Sequence, residues 1–406
     1  MTELCLSFKT TIMRSALWGS VLFFLTVTPI QGAIDQVKAA KAKQWMAIDL
    51  QLFSDSIHHA RMIFKDEKPP YAIWQPTQII HIAENILAHQ YEDGGWPKNI
   101  DWQRAWSDEE LASIQAKYRL RQGGTLDNRN TCSQVRYLTK VHQQTHFHRY
   151  AQAAGKGLNW ILTKQNELSG GWPGADVDAV TFNDDVMAGV MGLLWDIKQG
   201  NKEYAFLSNQ LGQRVNKAYN RGRACILKCQ IKVQGKLTAW CQQHSHQDLK
   251  PVKARSYELP SIVSAESVEV VHFLMDIYDP IPEVIRAVQT AVSWLARVKI
   301  TGLRLKTIEA EPIRFRWHYS DKDRVIVPDP QAPPIWARFY DLKESKPLFV
   351  NRSGEVVHDY SELSRERRTG YDWYGYWPAK LLEDNYSSWQ KKWVPNDNVL
   401  KPNSKH

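Results

Sequence analysis

Apolar positions recur at helical spacing through most of the chain. Between Pro282 and Val298 they fall at Val284, Ala287, Val288, Ala291, Leu295 and Val298. That is one face of a helix, opened by Pro282 and Glu283 at its first positions. Ser107-Asp-Glu-Glu110 has the form of a capping box, with Ser107 as cap and Glu110 at the third helical position. Ser264 is expected to cap a helix through Met275. The same periodicity predicts helices near residues 36–64, 77–89, 131–143, 146–164, 183–198 and 203–228. After residue 299 the pattern changes. Pro328, Pro330, Pro333 and Pro334, with β-prone runs such as Val325-Ile-Val327, predict irregular chain and short strands. From residue 386 the chain turns polar, and residues 386–406 are expected to form a fraying tail.

One pattern occurs twice. Gln90-Tyr-Glu-Asp-Gly-Gly-Trp-Pro97 and Gln165-Asn-Glu-Leu-Ser-Gly-Gly-Trp-Pro173 share Q-x-E followed by G-G-W-P, with their tryptophans 76 residues apart. Glycine ends a helix and proline prevents its continuation, so each copy marks a helix stop. The stops are either independent or the punctuation of repeated helical hairpins, a spacing that suits two helices plus excursions. In a ring of such hairpins the inner helix ends would line a central groove.

The N-terminus differs from the rest. Lys9 and Arg14 precede an apolar run from Ala16 to Val27, followed by Thr28-Pro-Ile-Gln-Gly-Ala33. This reads as a signal peptide over residues 1–32, with an uncleaved anchor as the alternative. The formal charge of +9 falls to about +8 once that segment is removed. A basic exported protein suits anionic partners. No lysine/arginine run or nucleic-acid motif is present, so nucleic acid is not expected, nor is a membrane once the signal is gone. Beyond Cys5, the cysteines are Cys132, Cys225, Cys229 and Cys241, which allow three disulfide connectivities in an exported chain.

Candidate chemistry is scattered. Seventeen tryptophans and sixteen tyrosines supply flat faces for sugar stacking, although most must be packing. Asp127-Asn128 and Asn183-Asp184-Asp185 could offer oxygen to a hard cation such as calcium. Each precedes a helical run, so spacing alone favours helix capping, although a pocket at helix starts can serve both roles. Arg255 and Arg338 could bind carboxylates in bidentate fashion, or could pair structurally with Glu258 and Asp341. His142, His146 and His148 have a poor metal spacing and are read as a partly solvated helix face. No serine-nucleophile elbow, zinc-protease helix, phosphate loop or dinucleotide fingerprint is present.

Several segments resemble family ten polysaccharide lyases, the helical pectate lyases. The most specific are Thr181-Phe-Asn-Asp-Asp-Val-Met187, Leu237-Thr-Ala-Trp-Cys-Gln-Gln-His244, Ala254-Arg-Ser-Tyr-Glu-Leu-Pro-Ser261 and Glu366-Arg-Arg-Thr-Gly-Tyr-Asp-Trp-Tyr-Gly375. The resemblance implies a mainly α fold, an incomplete α/α toroid of helical hairpins with short β and irregular elements, mostly C-terminal. Residues 33–385 would be the catalytic domain. It implies a secreted or periplasmic, calcium-dependent and monomeric pectate lyase. The enzyme would cleave α-1,4-polygalacturonate by β-elimination to 4,5-unsaturated oligogalacturonates. Residue by residue, it makes Asp127 the calcium ligand and Arg255 the catalytic base. Arg338, Asp184 and the neighbouring Asp185 would bind substrate. Arg129 and Asn130 depart from the family's small residues after Asp127-Asn128. The rival readings are a helical-toroid hydrolase using Asp184 and Glu258, and a non-catalytic acidic-polysaccharide binder.

Overall fold

The structure is a computed structural model that describes residues 36–64 and 68–401. The expected signal segment 1–32 lies outside the described residues. The chain divides into a unit ending at Gln44 and a large unit from Trp45 onward. In the first, the described residues are helical as far as Lys41. Everything below concerns the second.

Among the described residues, nine helices frame that unit: α1 (Ser54–Arg61), α2 (Ile79–Ala88), α3 (Asp108–Tyr118), α4 (Cys132–Thr145), α5 (His148–Thr163), α6 (Val186–Lys198), α7 (Asn209–Cys229), α8 (Ser264–Met275) and α9 (Pro282–Arg297). Helix α4 packs on α5, α6 on α7 and α8 on α9 as consecutive hairpins. Across hairpins, α4, α6 and α8 touch in series, and so do α2, α5, α7 and α9. Two concentric layers result, an inner one of α4, α6 and α8 and an outer one of α2, α5, α7 and α9. This is the α/α toroid arrangement, and its core lies between the layers. The outer helix α9 shows why: Val284, Ala287, Val288, Ala291, Val292 and Leu295 are all buried, the inward stripe expected of an amphipathic helix.

Each outer helix ends in the same clasp. The indole N–H of Trp96 donates to Ile86 O on α2 at 2.7 Å. Trp172 donates to Ile161 O on α5, Trp240 to Ile226 O on α7 and Trp336 to Leu295 O on α9, each at 2.8 Å. All four rings are buried, so each satisfies a helix-end carbonyl that water cannot reach. A glutamine ties each turn to the next outer helix. Gln90 donates to Gly94 O and Ala153 O, Gln165 to Gly170 O and Ala218 O, and Gln230 to Thr238 O and Ala287 O. The twofold echo is therefore a genuine repeat, with four copies of the tryptophan clasp and three of the glutamine tie among the described residues.

Glycine is required where the turns meet the next helix. Gly94 and Gly170 adopt φ of 106° and 77°, and an added Cβ would sit 2.5 Å from Lys156 O and 2.9 Å from Arg221 O respectively. Only glycine takes that conformation without strain.

Several expectations need adjustment. The capping box at Ser107 is present. Ser264, however, is the first residue of α8, and its hydroxyl donates to Ala337 O. The continuous helix expected over 36–64 is broken, with extended chain before a short 3-10 turn at Leu50–Phe53 and α1. Residues 386–393 are helical with Tyr386 and Trp389 buried, so the ordered body extends past the expected start of the tail. His146 closes α4 in the left-handed conformation. Cys132, Cys225, Cys229 and Cys241 are buried free thiols. The short strands are mostly two-residue pairs, such as Ile262–Val263 with Phe339–Tyr340. One long hairpin, Leu303–Arg314 with Tyr319–Pro328, departs from that pattern.

Packing at the clasp is tight enough to test. A Cβ on Gly222 of α7 would meet Met191 Sδ at 2.4 Å and Trp172 at 2.8 Å, whereas one on Gly212 of the same helix would meet nothing within 4 Å. Gly222→Ala is expected to lose about 1–3 kcal/mol by overpacking. Gly212→Ala should gain up to about 1 kcal/mol from helix propensity. Urea denaturation of the two variants measures both; equal effects would contradict the clasp geometry.

Candidate active site

Each of the first three clasps is followed by a segment that crosses from the outer layer to the inner one, and these crossings carry the polar residues. Asp127 lies between Trp96 and α4, Asp184 between Trp172 and α6, and Arg255 between Trp240 and α8. Arg338 follows Trp336 two residues later. The fold thus gathers onto one end of the inner helices residues that lie far apart in sequence.

Asp127, Asp184 and Arg255 line one recess, together with Gly174, Ala175, Asp176, Gln243 and Glu258. Its open volume is about 20 Å³, room for a single ion or water molecule. Asp127 is buried, and each of its carboxylate oxygens has one partner, which leaves lone pairs free. Lys98 Nζ lies 2.9 Å from Oδ2, and the Ala175 N–H donates to Oδ1 at 3.0 Å. Neither Asp127 nor Asp184 caps its helix through a side-chain bond. The capping alternative therefore falls. Burial lowers the Lys98 pKa, but the hydrogen bond it donates to Asp127 and the charges of Asp127, Asp176 and Asp184 outweigh it and leave the ammonium more firmly protonated.

Asp184 is held at φ 52°, an uncommon conformation for a side chain larger than glycine. Burial, and then the neighbouring Asp127 charge, push its carboxyl up to about 6, against the opposing pull of Arg255 and Arg338. A site that raises the cost of a carboxylate in this way is prepared for a cation. The donor set fits a hard one, since it offers carboxylate oxygens and no nitrogen or sulfur ligand. It is not a cage. Among the described residues no group of three His, Cys, Asp or Glu side chains could hold a metal by itself.

Asp185, expected to contact substrate, does not line this recess. Its carboxylate instead pairs with Arg129 at 2.9 Å, and Arg129 also reaches Glu269 at 3.0 Å. Arg129 thus turns toward a second cavity inside the inner layer, lined by Arg136, Glu269, His272 and Asp276.

The two arginines are paired. Arg255 Nε lies 2.7 Å from Glu258 Oε2, and its backbone N–H donates to the same carboxylate. Burial alone would lower the Arg255 pKa, but Glu258 more than offsets this and raises it. Arg338 forms a close pair with Glu266, not with Asp341, whose carboxylate accepts the backbone N–H groups of Lys343, Glu344 and Lys346. The hydroxyl of Tyr371 donates to Glu258 at 2.9 Å, and its ring lies 5.0 Å from the Arg338 guanidinium and 6.0 Å from that of Arg255. Lys98, Glu266 and Tyr371 are central here, and sequence reading nominated none of them. The only hint was that Lys98 follows the first G-G-W-P and Tyr371 lies in the E-R-R-T-G-Y-D-W segment.

The model of one protein family, pectic acid lyase, matches residues 90–382. The chain belongs to that family. This pectic acid lyase is also similar to a family 10 polysaccharide lyase from Cellvibrio cellulosa, at 27% identity and a TM-score of 0.62. The match covers 84% of this chain and 98% of the other. An Asp-to-Ala mutant of that enzyme in complex with trigalacturonic acid matches with the same values. A search of curated proteins finds no match. The protein is therefore a polysaccharide lyase on a helical toroid, and the matched span contains all the residues described above.

Asp184 yields a sign-definite prediction. Its folded pKa exceeds its unfolded value, so its contribution to stability is lost as pH rises through about 6. Without added cation, Asp184→Asn should stabilise the protein at pH 8 by about 1–3 kcal/mol and leave it nearly unchanged at pH 4. Thermal unfolding at the two pH values measures this; a destabilised variant at pH 8 would contradict the geometry.

Proposed function

We propose that this polysaccharide lyase is an exported, monomeric, calcium-dependent pectate lyase that cleaves α-1,4-polygalacturonate by β-elimination. The observation that carries the reading is the recess itself, where two crowded carboxylates face one arginine. Asp127, joined by Asp184, would hold the calcium ion, with the remaining oxygens coming from water and a galacturonate carboxylate. When bound, the ion would withdraw electron density from that carboxylate and so acidify the adjacent C5 hydrogen. Arg338, which does not line the recess and pairs with Glu266, would bind a substrate carboxylate through its planar fork beside it. Asp185 is better assigned to holding Arg129 than to touching substrate.

Arg255 is the base in this scheme. It takes the proton from C5, the electron pair forms the C4–C5 double bond, and the C4–O glycosidic bond breaks. The departing oxygen is then protonated, and no water is consumed. Glu258 cannot serve as the free acid of a hydrolase, because its oxygens are engaged by Arg255 and Tyr371. The pairing has a cost, since it stabilises the cationic guanidinium that must become neutral. The reaction should therefore need alkaline pH. Among the described residues no helix is long and apolar enough to cross a membrane.

The test is ultraviolet absorbance during incubation with polygalacturonate. Absorbance from the unsaturated product should rise with calcium, stop with chelator and vanish in Arg255→Ala while polymer binding persists. New reducing ends without absorbance would mean hydrolysis and overturn the reading. A second variant isolates the base. Glu258→Gln removes the charge that raises the Arg255 pKa, so the alkaline rise of kcat should move to lower pH. An unmoved profile in a folded variant would assign the proton transfer elsewhere.

A further inference from the structure

The long hairpin Leu303–Arg314/Tyr319–Pro328 has features that the reaction does not use. Its tip reads Ile313-Arg-Phe-Arg-Trp-His-Tyr319, and between Glu311 and Asp321 the chain carries Arg314, Arg316 and His318 but no acidic residue. Trp317 is 62% exposed and Tyr319 51%. An indole left so open is unusual in a protein that buries Trp96, Trp102, Trp172, Trp240, Trp294 and Trp373 almost completely. The Arg316 guanidinium lies 4.7 Å from the Trp317 ring centroid and that of Arg352 lies 5.8 Å away.

The tip is held in place. Phe315 N–H bonds His318 O at 2.9 Å, and the His318 ring bonds the Thr369 hydroxyl at 2.9 Å. Arg365 donates to the carbonyls of Glu311, Ser320 and Lys322, spanning both strands. Arg368 pairs with Asp323. A bare surface loop would not need such bracing.

The tip is also continuous with the recess. Arg352 lies 5.2 Å from the Tyr257 ring and 5.8 Å from that of Trp317, while Arg255 lies 5.4 Å from the same Tyr257 ring, which is buried. Arg255, Arg352 and Arg316, with the exposed Trp317, therefore form a row of cations leading out of the recess over a buried aromatic support. A polyuronate presents matching groups, flat C–H sugar faces bearing regularly spaced carboxylates.

We propose that Trp317, Arg316 and Arg352 form a distal binding site for the same acidic polysaccharide, several sugar units from the scissile bond. This rests on the pectate-lyase reading for the identity of the polymer. Trp317 supplies a stacking face, and the two arginines receive uronate carboxylates on either side of it. Glu366 is shared between Arg352 and the buried Arg367, so Arg352 keeps part of its charge beside that of Arg316. The site binds long chains and is beyond the reach of short ones, so it acts on KM for polymer alone.

The experiment compares wild type, Trp317→Ala, Trp317→Phe and Arg316→Ala on polygalacturonate and on trigalacturonate. Trp317→Ala should raise KM for polymer about five- to tenfold, the loss of one stacked residue. Its kcat and all its trimer kinetics should stay unchanged, and Trp317→Phe should restore most of the affinity. Arg316→Ala should raise polymer KM less at high salt than at low salt. Equal changes on polymer and trimer, or no change on either, would overturn the proposal. If wild type releases no unsaturated product from either substrate, the lyase reading fails instead. Retention on immobilised polygalacturonate then decides the site: weaker retention of Trp317→Ala upholds it, and equal retention overturns it.

Discussion

The indole clasp is the constraint on which the rest of this toroid depends. A helix that stops inside a double layer leaves carbonyls that water cannot satisfy, and each unpaired one costs on the order of 1–3 kcal/mol. Trp96, Trp172, Trp240 and Trp336 each return to the end of the preceding outer helix and bond one of these carbonyls; for Ile86 and Ile161 the indole adds to a long backbone bond from His89 or Lys164. Because the ring is large, the same residue fills the gap between layers, and the chain must leave it toward the inner helix. The clasps thus fix where each crossing segment begins, and the site residues are found on those segments.

The recess is a balanced electrostatic system before any substrate arrives. Lys98 faces Asp127, Glu258 faces Arg255 and Glu266 faces Arg338, so every acting group has a partner of opposite charge. Buried charges need such partners, since breaking one pair costs far more than the pair contributes to stability. Asp184 is the exception. It is crowded by Asp127, and its carboxyl titrates near 6. The proposed cation would relieve that crowding, whereas the other three charges are already balanced within the protein.

Much of this was legible in the sequence. Helix spacing located the hairpins, because burial on one face leaves a 3.6-residue trace. The doubled G-G-W-P announced the repeat because glycine was forced by backbone contact at Gly94 and Gly170. The later copies were illegible for a physical reason: a small hairpin at Lys232–Leu237 separates Gln230 from Trp240, and Trp336 has no Gly-Gly before it. Asp127, Asp184, Arg255 and Arg338 were found through family likeness, since spacing alone read the acids as caps. Their partners were hidden by distance along the chain. Glu266 meets Arg338 across 72 positions and Tyr371 meets Glu258 across 113, and nothing local to either sequence signals the pairing. The Asp185 pairing with Arg129 was likewise invisible, because the two lie 56 positions apart.

Unusual backbone conformation is concentrated in the two crossings that carry the recess acids. Asn128, Arg129, Thr131, Asp184 and Asp185 all have positive φ, clustered where the chain runs into α4 and α6. Such conformations cost about 1 kcal/mol or more each in non-glycine residues, and persist only where the surroundings over-determine them. Arg255 and Arg338 are absent from that set, and the Arg338 backbone is pinned between Trp373 and Ser264. Of the two recess acids only Asp184 is itself aimed by such backbone; Asp127 keeps an ordinary conformation just ahead of Asn128, and Arg129 adopts a positive φ although its side chain is long. Side-chain length therefore does not decide where the strain falls. It falls where a crossing must turn abruptly into an inner helix, and the clasp before each crossing holds that strained backbone in place.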